Sequence, residues 1–299
     1  MTAPSQVRAD PQGAVRAFMQ GYSIEATRPQ AADLDALAAT APAGTRVYLS
    51  AVPRLSADEL IAACARLRAS GLEPVPHFAA REVAAAASLS SCLKRLRSEA
   101  DISCALVIAG DRAEPAGPFS AAVELIESGL LQEHDISEIG ISGYPGGHPR
   151  IADHDLRRLM RAKIAAAEET ALRVHIVTQF GFDAARMIAW IDELRDDGAD
   201  HPVRIGLAGP TRISTLLKYA HRCGVKASSQ NVARFGGLAK HLIGTSTPDA
   251  LIRTLAEACA GGKLGTVAPH FFSFGGVGHT ARWAEAARAD AGRLTAASA

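Results

Sequence analysis

The stretch RVHIVTQFGFDAARMIAWIDELRDDG, residues 173–198, contains one complete strand-and-helix unit. Residues 173–179 form a short and mainly apolar run, which is typical of a strand buried on both faces. From residue 182 onward the apolar residues follow a helical spacing, and Gly198 marks the end of that helix. A strand joined to a helix by a few residues is the repeating unit of a parallel sheet. This stretch therefore predicts an α/β fold.

The same unit recurs along the chain. We predict eight strands, at residues 22–27, 46–51, 74–78, 104–110, 138–144, 173–179, 204–209 and 264–274. A helical pattern follows each strand, and one extra helical segment lies between the seventh and eighth. The helix predicted at 56–70 begins with a capping box, in which Ser56 is followed three residues later by Glu59. Eight such units in 299 residues predict a (β/α)8 TIM barrel, which typically needs ~250 residues.

No linker rich in Pro, Gly or Ser divides the chain, so residues 1–299 are predicted to form a single domain. We expect residues 1–20 and 291–299 to be peripheral or flexible. A doubly wound parallel sheet is the alternative fold. The first predicted strand is not followed by G-x-G-x-x-G, which argues against a classical dinucleotide-binding site.

Composition narrows the class of function. The chain has 32 basic and 31 acidic residues, so its surface field is weak and neither nucleic acid nor a membrane is an expected partner. Its five cysteines are never spaced as C-x-x-C, which indicates reduced thiols and not a disulfide framework or a zinc site. The N-terminal residues lack the apolar segment of a secretion signal. We therefore predict a cytoplasmic protein that acts on a small molecule.

In a TIM barrel the active site lies at the C-terminal ends of the strands. Polar residues stand at most of these predicted ends: Glu25, Ser50, His77, Asp111, Tyr144, His148, Gln179 and His270. Most of them also have a structural interpretation, since a histidine can be a hydrogen-bonded core residue and Gln179 can bond its own backbone. Glu25 is harder to explain in this way, because a carboxylate inside a barrel strand is expensive to bury unless it is paired or protonated.

Together these residues indicate proton chemistry. One carboxyl group with a raised pKa could act as a general acid. A second carboxylate and an amide could hold a heterocycle that has alternating donors and acceptors. The histidines lack H-x-H and H-E-x-x-H spacing, so no metal site is predicted.

Five motifs, in this order and near these spacings, resemble those of the methylenetetrahydrofolate reductase family. They are SIEATRP (23–29), PHFAAR (76–81), VIAGD (107–111), IGISGYPGGHP (139–149) and VTQFGFD (177–183). The resemblance extends over roughly residues 20–285. It implies a TIM barrel that reduces 5,10-methylenetetrahydrofolate to 5-methyltetrahydrofolate in one-carbon metabolism and methionine biosynthesis. The reductant would be NADH or NADPH, normally acting through bound FAD in a ping-pong exchange.

The resemblance also implies roles for individual residues. Glu25 corresponds to the family's general acid, and Asp111 to the carboxylate near flavin and pterin. Gln179 corresponds to the amide that binds the pterin edge, and Tyr219 to an aromatic that stacks on the folate or nicotinamide ring. The positions implied as FAD contacts are Ser50, His77, Gly110, Tyr144, His148 and Lys163.

The chain departs from the family pattern where the cofactor diphosphate would be held. Ala109 stands where the family has an arginine before Gly-Asp, and Gly275-Gly276 replaces Asn-Arg. Arg112 and Arg161 are candidate substitutes. A flavin-free reductase with direct transfer from NADH, a folate-binding methyl-transfer barrel and a folate-binding protein without catalysis remain alternatives. Barrels of this kind commonly associate, so a homo-oligomer is also compatible with the sequence.

Overall fold

The structure is a computed structural model that describes residues 10–50, 56–225 and 245–295. Eight parallel strands form a closed barrel: β1 (Ser23–Ala26), β2 (Arg46–Leu49), β3 (Glu73–Ala79), β4 (Cys104–Ile108), β5 (Glu138–Gly143), β6 (Arg173–Thr178), β7 (Val203–Ala208) and β10 (Val267–Phe272). A separate antiparallel pair consists of β8 (Thr211–Arg212) and β9 (Thr245–Ser246). The barrel closes where β10 pairs with β1, with Ser23 opposite His270. The predicted TIM barrel is confirmed.

Helices surround the barrel. They are α1 (Pro11–Gln20), α2 (Ala31–Thr40), α3 (Ala57–Ala69), α4 (Ala86–Ala100), α5 (Ala122–Glu127), α6 (Leu130–Glu133), α7 (Asp153–Glu169), α8 (Ala184–Asp196), α9 (Ile213–Arg222), α10 (Asp249–Ala260), α11 (Val277–Ala289) and α12 (Ala291–Thr295). A 3₁₀ turn, Ala80–Glu82, follows β3. The buried faces of these helices and of the strands form a large apolar cluster, and two smaller clusters are centred on Tyr48 and on Phe180.

Local signals decide where the helices begin and end. The predicted capping box at Ser56 and Glu59 is present at the start of α3. Two short helices, α5 and α6, follow β4. Ser120 bonds the carboxylate of Glu124 through both its backbone N–H and its hydroxyl, each at 2.6 Å, and the helix begins only at residue 122. Gly129, at φ +76°, then separates α5 from α6.

The two ends of the described chain pack against the barrel. Helix α1 buries Val15, Phe18 and Met19, and α12 begins with the buried Ala291. The apolar face of α1 contacts α10, α11 and α12. Residues 11–20 and 291–294 therefore pack against the barrel, whereas residues 1–9 and 296–299 of the two terminal segments lie outside the described ranges.

Polar residues fill the N-terminal end of the barrel interior, which we call the barrel floor (Arg46, Tyr48, Glu138 and His175). The Arg46 guanidinium donates two hydrogen bonds to the Glu138 carboxylate, at 2.5 and 2.9 Å. Nδ1 of His175 lies 2.8 Å from the same carboxylate, an electrostatic contact outside hydrogen-bonding direction. The Tyr48 hydroxyl lies 2.7 Å from His175 Nε2. Burial raises the pKa of Glu138, but the His175 and Arg46 contacts outweigh it, and the net pKa lies well below its ordinary value.

Cys104, Glu138 and His175 place three potential metal-ligand atoms within 4.8 Å of one another. Arg46 already holds Glu138 through both carboxylate oxygens, and burial raises the pKa of the Cys104 thiol to about 12. A metal ion would have to displace a bidentate ion pair and deprotonate a buried thiol. The geometry of the floor is therefore that of an ion pair that closes the barrel from below.

All five cysteines are free thiols, as predicted. Within the three described ranges, no helix is both long and apolar enough to cross a membrane.

The barrel floor yields a stability prediction. Replacing Arg46 by methionine should lower the free energy of unfolding by about 3 kcal/mol, because Glu138 loses its main counter-ion inside the barrel. Urea denaturation followed by circular dichroism measures the change. The double variant Arg46→Met/Glu138→Met should recover most of the loss, because both charges are then removed together. Arg66→Met, which breaks an exposed pair with Asp35, is the control and should cost at most about 1 kcal/mol. An equal loss in the control would contradict the special role of the floor.

Candidate active site

The C-terminal mouth of the barrel opens into a cavity of about 1030 Å³. Its walls come from the ends of β3, β4 and β5 and from helices α5, α7 and α8. Seven of the predicted site residues line it: Ser50, His77, Gly110, Asp111, Tyr144, His148 and Lys163. A cavity of this size is at the upper end of the range for cofactor-sized ligands. The residues predicted as cofactor contacts are therefore brought together around a single cavity.

Glu25 lies directly behind this cavity wall, at the mouth end of β1. Its side chain is 14% exposed. The hydroxyl of Ser50, itself a cavity residue, donates to Glu25 Oε1 at 2.6 Å, and Nε2 of His270 lies 3.3 Å from Oε2. The Thr27 hydroxyl lies 3.0 Å from that of Ser50. Both carboxylate oxygens of Glu25 are thus held by neutral partners on neighbouring strands.

These contacts reverse the expected pKa shift of Glu25. Burial raises the pKa of the carboxyl, but the hydrogen bond from His270, the nearby His77 and the Ser50 hydroxyl together bring its pKa below the ordinary value. The sequence suggested a general acid with a raised pKa, and the pKa of Glu25 is shifted in the opposite direction. A hydrogen bond stabilises the ionised form of a carboxyl when the partner donates to it. Glu25 is therefore a carboxylate at neutral pH.

The tautomer of His270 follows from its two contacts. Burial is the main cause of its lowered pKa, so the ring is neutral and carries one proton. Ser23 Oγ lies 3.0 Å from His270 Nδ1 and 3.5 Å from the Pro269 carbonyl. When the Ser23 hydroxyl donates to Nδ1, the closer of these two acceptors, the proton is on Nε2 and can be donated to the Glu25 carboxylate. Ser23 and His270 thus form an ordered chain that ends at Glu25.

His77 and Lys163 are buried polar residues of the cavity wall. Nε2 of His77 is buried without a hydrogen-bond partner among the described residues, and burial lowers the pKa of this histidine to about 4. The Lys163 ammonium donates to the carbonyl and the hydroxyl of Ser142, at 3.1 and 3.2 Å, and burial lowers its pKa to about 8. A buried donor or acceptor that lacks a protein partner is commonly satisfied by a ligand or by water.

Gln179 has a partly structural role. Its side-chain carbonyl accepts the backbone N–H of Phe180 at 3.0 Å. Its Nε2 donates no hydrogen bond to any described residue, and the side chain is only half-buried. The backbone contact therefore fixes the amide and leaves its donor end unpaired at the end of β6.

Asp111 is exposed at the rim of the cavity. Its side chain lies 3.5 Å from the guanidinium of Arg150. Burial is the main cause of the raised pKa of Cys223, and the Asp111 and Glu25 carboxylates raise it further. Both carboxylates are thus within electrostatic reach of one thiol. Of these three predicted residues only Asp111 lines the cavity: Glu25 lies behind its wall, and Gln179 stands farther round the barrel.

Tyr219 belongs to a cluster of aromatic rings beside the mouth, which we call the aromatic wall (Tyr219, Phe180, Phe182, Phe272 and Phe274). Its ring is stacked on that of Phe274, with centroids 4.2 Å apart and planes 13° apart. Phe180 packs against the other phenylalanines at 4.9–5.7 Å. Only Tyr219 of this group was predicted as a site residue; the aromatic residues of TQFGF (178–182) and HFFSF (270–274) were the signal for the rest.

Comparison with known proteins identifies the family. Residues 30–255 match the family described as methylenetetrahydrofolate reductase. A stretch of 107 residues is 29% identical to methylenetetrahydrofolate reductase 2 of Saccharomyces cerevisiae, and this stretch covers 35% of the chain and 17% of that protein. The chain belongs to the methylenetetrahydrofolate reductase family.

Two solved structures are similar over most of their length. Dihydropteroate synthase (FolP) from Thermus thermophilus is 16% identical, with a TM-score of 0.48 over 93% of this chain and 95% of that one. A putative lyase/mutase from Burkholderia cenocepacia is 15% identical, with a TM-score of 0.47 over 97% and 90%.

At both departures from the methylenetetrahydrofolate reductase pattern, Ala109 and Gly275-Gly276, the structure shows what lies next to the changed residue. The carbonyl of Ala109 accepts the backbone N–H of Arg81 at 2.9 Å, so a basic residue from the neighbouring strand lies beside it. A Cβ at position 275 would lie 2.0 Å from the carbonyl oxygen of Pro210, so only glycine fits there. Gly110 is similarly constrained: its φ is +90°, and a Cβ would lie 3.1 Å from that of Ala79.

The buried histidines yield a prediction for stability against pH. The pKa of His77 and that of His175 are both lowered to about 4, chiefly by burial. The unfolded chain takes up a proton at each near pH 6.5, whereas the folded chain stays neutral down to about pH 4. Stability should therefore be fully present above about pH 6.5 and fall as the pH drops towards 4, by up to about 1.4 kcal/mol per pH unit for each histidine.

Urea denaturation at several pH values between 7.5 and 4.5 measures this slope. The variant His77→Gln should lower it by up to about 1.4 kcal/mol per pH unit, because the linked protonation of His77 is gone. A slope that is the same in His77→Gln, or a stability that is flat below pH 6.5, would contradict the buried neutral state of these rings.

Proposed function

We propose that this protein is a methylenetetrahydrofolate reductase that reduces 5,10-methylenetetrahydrofolate to 5-methyltetrahydrofolate with NADH or NADPH. The observation that carries the proposal is the carboxylate of Glu25, held by Ser50 and His270 behind the cavity wall of a barrel that belongs to this family. A small-molecule enzyme of the cytoplasm is consistent with the balanced charge of the chain.

Glu25 would act on the proton side of the reaction. Opening the five-membered ring of the folate places a proton on the nitrogen that leaves the bridging carbon and produces an iminium cation on the other nitrogen. The addition of one hydride to that carbon then gives the methyl product. As a carboxylate, Glu25 stabilises the cation. Folate bound over it would replace water with apolar ring surface, which raises a carboxyl pKa and allows Glu25 to be protonated and serve as the acid.

His270 and Ser23 would set the state of Glu25 without touching the substrate. With its proton on Nε2, His270 donates to the Glu25 carboxylate. The contact between Ser23 and Nδ1 fixes the orientation of the ring, and so the direction of this N–H. When Glu25 becomes protonated, either the His270 ring must reorient or its Nε2 must lose its proton and accept a hydrogen bond from the carboxyl. The cost of protonating Glu25 therefore depends on a pair of residues on β1 and β10.

Folate binding would use polar and aromatic groups at the mouth. The free amide N–H₂ of Gln179 is suited to a ring carbonyl or ring nitrogen of the pterin. Asp111 can accept from the exocyclic amino group that such a ring carries. The aromatic wall, with Tyr219 at its edge, provides a flat apolar surface of the kind on which conjugated rings stack.

The cavity residues fit a flat anionic cofactor such as FAD. The unpartnered Nε2 of His77 can bond a polar ring edge, Gly110 leaves space where a Cβ would be crowded, and Lys163 offers a buried positive charge. Bound FAD would supply a hydride carrier between NAD(P)H and folate in a ping-pong exchange. The same reduction with direct transfer from NADH is the second candidate, favoured by the absence of the family's arginine at Ala109.

The test separates the two half-reactions. Glu25→Gln should slow folate reduction by about 10²–10⁴-fold, the usual contribution of a general acid. NAD(P)H-driven bleaching of the flavin absorption should stay nearly unchanged, because that step needs no proton from Glu25. Stopped-flow absorption measures both. If the purified protein holds no flavin, NADH affinity replaces flavin bleaching as the reference measurement.

Glu99→Gln is the matched control, since Glu99 lies on the outer helix α4 and pairs with the exposed Arg95. It should leave both half-reactions unchanged. An equal loss in both half-reactions of Glu25→Gln would make Glu25 a structural residue. The absence of any folate-dependent NAD(P)H oxidation in the wild type would favour a folate-binding or methyl-transfer barrel instead.

A further inference from the structure

Two cations of the cavity wall have no carboxylate within 4 Å in the part of the chain that the structure describes. The other basic residues that line the cavity each lie within 4 Å of an acid: Arg112 of Glu82, Arg150 of Asp111, Arg157 and Arg186 of Glu193, and Arg161 of Asp197. Arg81 and Lys163 form no ion pair with any of the described residues. A buried or partly buried cation without a counter-ion in direct contact is costly, so these two positions favour a bound anion. The Glu124 carboxylate acts on Arg81 only from beyond ion-pair distance.

Arg81 is held in place by backbone contacts on β4. It lies in the 3₁₀ turn after β3, its backbone N–H bonds the Ala109 carbonyl at 2.9 Å, and its Nη1 donates to the Arg112 carbonyl at 3.0 Å. Its Nε is buried and has no hydrogen-bond partner among the described residues. The Cβ that Gly110 lacks would lie 3.8 Å from the Cβ of Arg81. Arg81 therefore places an unsatisfied N–H donor beside the Ala109–Gly110 step.

Lys163 provides the second positive charge, from α7 behind the end of β5. Its ammonium uses two of three N–H donors on Ser142, and the third is not paired with any described residue. Burial is the sole cause of its lowered pKa, which is consistent with the lack of a nearby carboxylate. Arg81, from the 3₁₀ turn after β3, and Lys163, from α7, thus line the same cavity.

We propose that Arg81 and Lys163 hold the diphosphate of a dinucleotide in this cavity. In this arrangement Arg81 supplies, from the end of β3, the cation that is missing at Ala109 on β4. An arginine suits this task because its planar fork donates two parallel hydrogen bonds to phosphate oxygens, whereas lysine adds a point charge. The inference rests on the proposed reductase function for the identity of the ligand. FAD and NAD(P)H both carry a diphosphate, and the experiment separates these two sources.

The experiment measures equilibrium binding of FAD, FMN, riboflavin and NADH to flavin-stripped protein by calorimetry or fluorescence quenching. Arg81→Gln should weaken FAD binding by about 10–100-fold, the range for losing a hydrogen bond to a charged group. Riboflavin has the same ring system without phosphate, and its affinity should not change. Lys163→Met should behave in the same way. Affinity for FAD, but not for riboflavin, should also fall as salt is added.

Matched controls are available on the outer surface. Arg66→Gln and Lys263→Met remove the same charges from exposed ion pairs with Asp35 and Asp192, and should change no affinity. Unchanged riboflavin binding also shows that each variant is folded. A loss restricted to NADH would support the same pair of cations with the nicotinamide dinucleotide as its ligand.

Two results would overturn the proposal. Equal losses for FAD and riboflavin would mean that Arg81 only shapes the cavity. Unchanged affinity for both FAD and NADH would mean that no diphosphate contacts these cations. The outcome is independent of catalysis: Arg81-dependent dinucleotide binding in a protein that reduces no folate would remove the reductase proposal and leave the diphosphate site intact.

Discussion

The site depends on closure of the barrel between β1 and β10. Their register places Ser23 opposite His270 and Glu25 opposite Phe272, although the paired residues stand near opposite ends of the chain. This pairing brings Nε2 of His270 to within 3.3 Å of the Glu25 carboxylate and its Nδ1 to within 3.0 Å of Ser23. A doubly wound sheet would leave its two edge strands apart, and Glu25 would then have no histidine partner. The protonation state of Glu25 is therefore a consequence of topology.

Two glutamates, Glu138 and Glu25, lie in the barrel interior, and they differ in whether a charged residue holds them. Glu138 at the floor is held by the permanent charge of Arg46, which keeps it ionised at any physiological pH. Glu25 at the mouth is held by a hydroxyl and a neutral imidazole, which stabilise the carboxylate but impose no fixed counter-charge. A ligand that removes water from the mouth can shift the pKa of Glu25, whereas the same event at the floor is blocked by the ion pair. Of these two carboxyls, Glu25 is thus the one able to exchange a proton during a reaction.

Much of the fold could be predicted from the sequence because short apolar runs and capping residues are local signals. The predicted strand at 173–179 differs by one residue from β6, and the capping box at Ser56 is present. The direction of the Glu25 pKa shift could not be predicted, since it depends on His270 from the far end of the chain. Gln179 was expected to face a ligand, but one end of its amide bonds the next backbone N–H. Arg81 was overlooked because its unpaired Nε is visible only once its burial and its neighbours on β4 are known.

The glycine pair Gly275-Gly276, which follows β10, affects how the mouth of the barrel is packed. Because position 275 carries no side chain, the Pro210 carbonyl that follows β7 can lie where a Cβ would stand. The connection from β7 to α9 is thereby packed against the end of β10, and α9 carries Tyr219. Phe274, the residue before the glycine pair, then stacks on Tyr219 at 4.2 Å and contacts Phe180 at 4.9 Å. The absence of a side chain at position 275 and the aromatic wall are thus parts of one packing arrangement. In the proposed function, this arrangement gives the mouth a flat apolar surface on which a conjugated ring can stack.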